Sequence, residues 1–485
     1  MNRYILRRRL HSSWLIAVVA AGLLVGVVMA QYVPQGWVAS VGWLLVGFMM
    51  IAVVLLRKYV YLLPFILVAG VLIGLWRGSV ERHQLAVFKH LYGLRLQVVG
   101  NVSEDVDSGK KGESVLRLDQ LSVDGHIISG KAWVTTYDRA DVKRGDRVSV
   151  EGRLEEGFGV FSAVVYRAEV QRVERPEPGD VARQVRDWFA NAVRLAIPDP
   201  QASLGIGYLV GQRRALPEDL AAALQIAGLT HVVVASGYNL TILVRLARRL
   251  FTKVSKYMSA LMASGMIVSF IAITGASPSM TRAGLVAGLS LLAWYYGRKF
   301  HPLILLVLVA AVTVLISPSF AWGDLGWQLS FAAFAGVMIV APLAQRYFFG
   351  ARKPGTIRQI LGETVAAQLV TLPILVLAFG QFSNVAVVAN LLVLPLVPLA
   401  MLLTFIAGIT GLILPSVAGL VGAPAQWLLQ YMIGVAEYLS KLPWAQTQIE
   451  INGWFVAVSY IVIILGCVYV WRKTKYDLRD SNIVE

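Results

Sequence analysis

Hydrophobic and polar positions fall into two textures along this chain. In the first, apolar runs with little or no charge approach the ~20 residues a helix needs to cross the hydrocarbon layer of a bilayer. They place spans near 14 to 30, 38 to 56 and 59 to 76, then near 229 to 250, 257 to 274, 279 to 296, 302 to 317, 326 to 344, 360 to 379, 383 to 412, 424 to 440 and 454 to 471, about twelve crossings. The run from 383 to 412 is too long for a plain span and carries Pro395 and Pro398, so a broken or re-entrant helix is expected there. Such breaks survive only against protein or water, because exposed backbone polar groups are costly in lipid. Met1 to Ala30 has the basic head and apolar body of a signal peptide, but no small-x-small signature follows and another apolar run comes at once, which reads as an uncleaved first span.

The second texture runs from about Leu94 to Val173. Short β-branched runs (Ser114 to Leu118, Lys131 to Thr136, Arg147 to Arg153, Gly159 to Val165) alternate with turn clusters such as Asp124-Gly125 and Arg144-Gly145-Asp146. This predicts a small closed or nearly closed β-barrel. The stretch Lys143 to Leu154 looks like the turn-then-strand pattern of OB-folds, which bind single strands by stacking bases on aromatics over a basic groove. Trp133, Tyr137, Phe158, Phe161 and Tyr166 are the stacking candidates; the alternative is that they fill the core or face the membrane. Acidic residues about equal basic ones here, so the electrostatic footprint of a nucleic-acid binder is missing at the level of net charge.

After the hinge Arg175-Pro176-Glu177-Pro178, the residues Val181, Val185, Trp188, Phe189, Ala192, Val193 and Ala196 recur at helical spacing, with Arg183, Arg186 and Arg194 on the other face. An amphipathic helix on the membrane surface is expected, or one packed on the barrel. The fold class that follows is a polytopic α-helical membrane protein of about twelve spans with one external OB-fold-like β-barrel domain. Its expected parts are three N-terminal transmembrane helices (1–76), the β domain (77–177), interfacial helices (178–228), a helical core (229–471) and a tail (472–485).

Composition agrees, since 57% of residues are hydrophobic and only 15% charged, too apolar for an ordinary soluble core. A net charge of +16 suggests a nucleic-acid partner at first sight. Most of the excess, however, sits in the amino-terminal tail, in short interhelical loops (Arg57, Lys58, Arg245, Arg248, Arg249, Lys253, Lys256, Arg298, Lys299, Arg346, Arg352, Lys353, Arg358) and in the carboxyl tail. By the positive-inside rule those segments are cytoplasmic, so both termini lie inside and, by parity, the barrel lies outside. The single cysteine, Cys467, permits no intrachain disulfide.

Polar residues within the apolar runs are the candidate chemistry. Arg282 has no acidic neighbour in its own helix, and an intramembrane guanidinium is a functional candidate by default. It either faces an aqueous path, where it can grip phosphates in bidentate fashion, or pairs internally with Asp324, Glu363 or Glu437. Asp324 suits a helix N-cap. Gln328, Gln368, Asn384 and Asn390 either line a wet route or join helices through hydrogen bonds. His231 and Ser236 lack the third group and oxyanion site of a nucleophilic triad. No phosphate-binding G-x-x-x-x-G-K-[ST] loop occurs, and the six histidines contain no His-x-His-x-Asp-His array, so no catalytic residue, metal or cofactor is expected.

Several ordered motifs carry a resemblance. They are Gly205-Ile206-Gly207-Tyr208-Leu209-Val210-Gly211 to Pro217 with Ala227-Gly228-Leu229-Thr230-His231 and Ala235-Ser236-Gly237-Tyr238-Asn239-Leu240; Gly275 to Ala283, with its Pro-Ser-x-x-Arg-Ala element; Trp322 to Phe331, with Asp-x-Gly-aromatic-Gln-Leu-Ser-Phe; and the Asn-containing, Pro-rich Asn390 to Pro398. In these the chain resembles the ComEC family of competence proteins, inner-membrane channels for DNA uptake in natural transformation. The resemblance implies a multi-pass channel in the bacterial inner membrane for single-stranded DNA, with Arg282, Gln328, Asn390, Asn239, Ser236, His231 and Asp324 as candidates for the DNA path. It also implies contact with membrane lipid, an external DNA receptor, a separate nuclease, and a cytoplasmic motor or single-strand-binding proteins. Two departures stand out. Asn239 occupies the position of a family histidine, which puts any role for an imidazole there in doubt, and the metallo-β-lactamase-like domain of many members is not expected after the last span. Competing readings are a secondary transporter of a smaller anionic solute, for which inverted repeats would be expected and none is seen, and a membrane-anchored binding scaffold.

Overall fold

The computed structural model describes residues 12–34, 40–57, 59–109, 112–138, 141–211, 216–233, 237–275, 277–297, 301–350 and 355–476. These divide into two compact units, one of residues 1–180 with 303–328 and one of residues 181–302 with 329–485.

The first unit opens with helices α1 (Ser12–Met29), α2 (Val41–Arg57) and α3 (Leu63–Leu85). Between α1 and α3 the backbones nearly touch. A Cβ on Gly22 would strike the carbonyl oxygen of Leu67 and one on Gly26 that of Val71; reciprocally, one on Gly70 would strike that of Val19 and one on Gly74 that of Leu23. Each helix thus presents a Gly-x-x-x-Gly pair to the other, the small-residue stitching that membrane helices use where no hydrophobic effect drives them together.

The barrel follows in the strands β1 (Arg95–Val102), β2 (Ser114–Val123), β3 (Ala132–Thr136), β4 (Arg147–Glu156), β5 (Ala163–Val165) and β6 (Glu169–Glu174). The spatial order is β1-β2-β3-β5-β4, and β1 pairs again with β4, so these five strands close into a barrel with β6 added outside β4. All pairings are antiparallel except β3 with β5. Alternation puts Leu116, Leu118, Val134, Val148, Val150 and Leu154 inside, and Phe88, on the turn Ala86–His90 that follows α3, plugs the same core. At the expected Asp124-Gly125 turn both residues take positive φ, the conformation that closes a tight hairpin.

Polar groups of the barrel are paired. Asp146, 1% exposed, accepts from Arg175 through Nε and Nη2 at 2.9 Å each and from the Lys143 N–H at 2.9 Å. Buried Arg144 donates to Asp180 at 2.6 Å. These bonds knit the predicted Arg144-Gly145-Asp146 turn to the hinge that leaves the barrel.

The second unit is helical: α4 (Val181–Ala196), α5 (Gln201–Val210), α6 (Gly237–Phe251), α7 (Lys256–Thr274), α8 (Pro278–Tyr295), α9 (Thr356–Phe379), α10 (Ala386–Val393), α11 (Val397–Ile413), α12 (Pro415–Ser440) and α13 (Gly453–Thr474). Every residue of α5 is buried, and Gly205 lets it approach Thr404 of α11 and Leu429 of α12. The expected break around Pro395 is a short 3-10 turn, Leu394–Leu396, between α10 and α11. A two-stranded ladder, Gln381–Ser383 with Gln446–Gln448, ties the loop after α9 to the one before α13.

Helix α4 is amphipathic as expected, but its faces are turned the other way from those of a helix on a soluble core. Trp188 is 60% exposed with Val181 and Val185, while Arg186 is 4% exposed and Arg183 is also buried. The reason is close packing: α4 lays Phe189 and Ala192 against Gly408 and Gly411 of α11 and Ala196 against Gly422 of α12. The glycines of α11 and α12 make the room for Phe189, Ala192 and Ala196 at that seam, while Val181, Val185 and Trp188 stay outward.

Among the described residues six helices are long and apolar enough to cross a membrane: Leu63–His90, Lys256–Thr274, Leu325–Phe349, Ile357–Phe379, Ala386–Ile413 and Gly453–Thr474. The bent pair Glu218–Ile226 and Thr230–Phe251 makes a seventh if counted as one, and Ser13–Met29, Val41–Leu56 and Pro302–Ile316 are shorter apolar helices.

Candidate functional site

In the second unit the separate sequence motifs converge. Asn239, fully buried at the start of α6, donates from Nδ2 to the Tyr208 carbonyl oxygen at 3.0 Å, joining the second part of the first motif to α5. A Cβ on Gly237 would lie 3.1 Å from the Cβ of Ala283 on α8, which brings the Ser-Gly-Tyr-Asn element against the Pro-Ser-x-x-Arg-Ala element. Gly228, with φ of +72°, turns the chain against Ala386 and Ser383 beside α10; a Cβ there would lie 2.5 Å from that of Ala386. Ser277 caps α8 by accepting from the Met280 N–H at 3.4 Å, and Pro278 occupies the first turn, where its missing N–H costs nothing.

Arg282 follows one turn later and is 2% exposed. It sits beside the cluster that Leu240 and Val244 of α6, Ile267 and Phe270 of α7, and Met280 and Ala283 of α8 form. Asn390 on α10 is 5% exposed, and its Oδ1 has no hydrogen-bond partner. His231 is exposed on a short helix, Thr230–Val233. Ser236 lies outside the described residues.

Asp324 and Gln328 belong to the first unit. Asp324 accepts from the Trp327 N–H at 3.0 Å, the capping geometry expected of it, and Gln328 donates to the Ala321 carbonyl at 3.4 Å. The Trp327 indole N–H donates to Thr313 Oγ1 at 2.9 Å. Gly323 has a separate role: a Cβ there would run into the backbone of Gly159 on the β4–β5 loop of the barrel, and one on Gly159 would meet the Gly323 carbonyl oxygen at 2.8 Å. The Trp-Gly-Asp motif is therefore where the barrel backbone seats on its own unit.

Two clefts open near that seat. One, of about 190 Å³, is lined by Arg77, Glu81, Lys131, Ser162, Ser317 and Ser319 among others. Arg77 is anchored by donating to the Leu315 and Ile316 carbonyls at 2.8 Å each, and it lies 3.8 Å from Glu81. The other, of about 380 Å³, includes Arg82, Lys89, Tyr92, Phe161 and Trp322. None of these cleft residues except Phe161 stood among the sequence candidates. Arg77 and Glu81 at i,i+4 on the end of an apolar run were the legible signal.

The barrel aromatics separate into two sets. Trp133 packs edge-on against Phe158 and Phe161, with ring centroids at 5.4 and 5.2 Å, and the Arg117 guanidinium covers it at 5.1 Å. Arg117 is itself held by Glu104 at 3.1 Å and Asp107 at 2.6 Å. Tyr137 and Tyr166 are about half exposed, as is Phe158 on the rim of the cluster. Outside the helices, burial raises the Asp119 carboxyl above its ordinary range although Lys131 opposes the shift, and a hydrogen bond from Lys143 holds that of Asp141 below it.

Residues 208–473, more than half of the chain, match the competence protein family, and they contain the Gly228, Asn239, Arg282 and Asn390 elements just described. The chain belongs to that family. Over 214 residues it is also 26% identical to ComE operon protein 3 of Bacillus subtilis (strain 168), a stretch that is 43% of this chain and 27% of that protein. The chain thus spans about a quarter of that relative's length. No solved structure matches. Membership in the competence family, with its apolar helices, makes this a multi-pass membrane protein. The match begins at Tyr208, so the barrel and α1 to α3 fall outside it.

Proposed function

We propose that the chain is an inner-membrane conduit for single-stranded DNA in natural transformation, with the barrel as an OB-fold that delivers the strand to the helical core. Membership in the competence family supports the process, and buried Arg282 is the observation that carries the conduit. A guanidinium inside an apolar helical unit is a functional candidate, and its planar fork of donors matches the geometry of a phosphate. The strand order β1-β2-β3-β5-β4 with a parallel β3–β5 contact supports the OB reading. Exposed Tyr137 and Tyr166 are then the stacking positions, since Trp133 is already covered by Arg117 and two phenylalanines.

Twelve crossings, both termini inside and the barrel outside, complete the topology. The basic loop supports this orientation: Arg248 and Lys256 lie over the ring of Trp294, at 4.2 and 5.7 Å, as basic and aromatic anchors at one membrane face do. An external receptor, a separate nuclease, and a cytoplasmic motor or single-strand-binding protein are the partners this reading requires. Arg282→Ala is expected to lower entry of labelled DNA into the cytoplasm while DNA bound at the surface persists. Unchanged entry at normal protein levels would remove Arg282 from the path. Cysteines placed at Gln328 and Asn390 should react with a water-borne thiol reagent; protection of both would favour a dry scaffold.

A further inference from the structure

The turn between α6 and α7 gathers positive charge in a stretch without carboxylates. From Leu220 to Gly323 the chain holds no Asp or Glu, yet Arg245, Arg248, Arg249, Lys253 and Lys256 follow one another there. Glu363 on α9 acts on Arg245; among the described residues the charge that acts on Arg248 is Arg245, another cation. Arg248 stands 4.2 Å and Lys256 5.7 Å from the centre of the Trp294 ring, and Lys256 is also 5.6 Å from that of Tyr295. Gathered at one indole, the two charges lie within the ~10 Å screening length of 0.1 M salt and act on a ligand together.

The frame around them is fixed. Trp294 packs on the apolar cluster that α6, α7 and α8 share. The Arg248 carbonyl takes the Thr252 N–H at 2.9 Å and the hydroxyl of fully buried Ser259 at 3.3 Å, and Ser255 caps α7 by accepting from the Tyr257 N–H at 3.2 Å. The Arg248 Nε has no hydrogen-bond partner. The neighbouring side chains Leu246, Leu250, Val254, Tyr257 and Tyr296 are exposed and mostly apolar. Cations set among exposed apolar and aromatic groups match the edge of a bilayer, where phosphate headgroups lie above acyl chains. A nucleic-acid strand matches the charge but leaves the aliphatic side chains uncovered.

We infer that Arg248 and Lys256, framed by Trp294 and Tyr295, bind the phosphodiester headgroup of an anionic phospholipid. On the topology proposed above, this is a lipid of the cytoplasmic leaflet. The test takes the full chain in detergent micelles without DNA and follows Tm as phosphatidylglycerol or phosphatidylcholine of the same acyl chains is added. Phosphatidylglycerol should raise Tm saturably, and at a lower concentration than phosphatidylcholine. Lys256→Gln removes one exposed charge and should raise the half-saturating concentration about fivefold, the effect of one cation near an anionic surface. Arg248→Gln should act in the same direction. Arg358→Gln, which removes an exposed cation 5.5 Å from the Phe349 ring, should titrate like the parent. Equal half-saturation for the two lipids, Lys256→Gln titrating like the parent, or a loss as large in Arg358→Gln would overturn the site. So would finding that Lys256→Gln weakens binding of an oligothymidylate and not of lipid, which would assign the cluster to the strand. The lipid arms contain no DNA, so their failure leaves the strand-conduit reading untouched.

Discussion

The barrel and the helical unit bury polar groups in different proportions of charged and neutral. In the barrel, buried or half-buried ionised side chains meet counter-charges: Asp146 with Arg175, Arg144 with Asp180, Arg117 with Glu104 and Asp107. In the helical unit the buried Arg183 and Arg186 share Asp187 at 3.6 and 3.1 Å, but most other buried polar groups are neutral, several of their oxygens lack partners, and cohesion comes from glycine seams such as Gly408, Gly411 and Gly422 against α4. The contrast follows from solvent. A water-facing domain gains from excluding apolar surface from water, whereas helices in lipid have no such driving force between them and depend on van der Waals packing through close backbone approach. The barrel should therefore be sensitive to charge and pH, and the helical unit to bulk.

The largest effect expected is on the helical seam. Gly411→Leu drives a side chain into the Ala192 backbone, and a loss of more than about 4 kcal/mol, the range of broken packing, should leave little folded protein by size-exclusion chromatography. Normal yield and melting of this variant would show that the seam is not what holds α4. Next comes Asp146→Ala in the barrel, which strands Arg175 and the Lys143 N–H. Partial exposure of Arg175 reduces the cost to about 2–3 kcal/mol, read as a lowered Tm.

Gly323→Val tests the seat between barrel and motif. Overpacking there costs about 1–3 kcal/mol, and the β4–β5 loop should be cut faster in limited proteolysis while the helices stay intact. The smallest effect concerns pH. Burial raises the folded pKa of Asp119, so its contribution favours the fold below the unfolded value of about 4 and is lost as pH rises through the folded one. Asp119→Asn should therefore raise Tm at neutral pH and give no gain near pH 3. Asp141 has the opposite sign: its depressed pKa stabilises above about pH 4 and that share is lost as pH falls through the folded value. A pH profile of melting that matches the parent in Asp119→Asn would remove Asp119 from the account.

Much of the architecture was legible because its signals are local. Apolar runs near 257 to 274 and 454 to 471 coincide with Lys256–Thr274 and Gly453–Thr474, and the Pro395 break lies where two prolines deny the helix its N–H donors. The glycine pairs of α1 and α3 were equally readable, as Gly22-x-x-x-Gly26 and Gly70-x-x-x-Gly74, although composition drew attention first to charge. The inward turn of Arg183 and Arg186 was not readable. A helical wheel shows two faces but cannot say which one meets protein when the surroundings are lipid.

The sequence by itself determined which segments are helix, strand or break, because period, proline and glycine act over a few residues. It also determined family membership, through motifs that stand in order along the chain. Only tertiary structure decided that Gly237 meets Ala283, that Gly323 meets Gly159, and that Trp133 is covered while Tyr137 is open. Those contacts join residues far apart in the chain, and their energies depend on gaps of a few tenths of an ångström that no local pattern encodes.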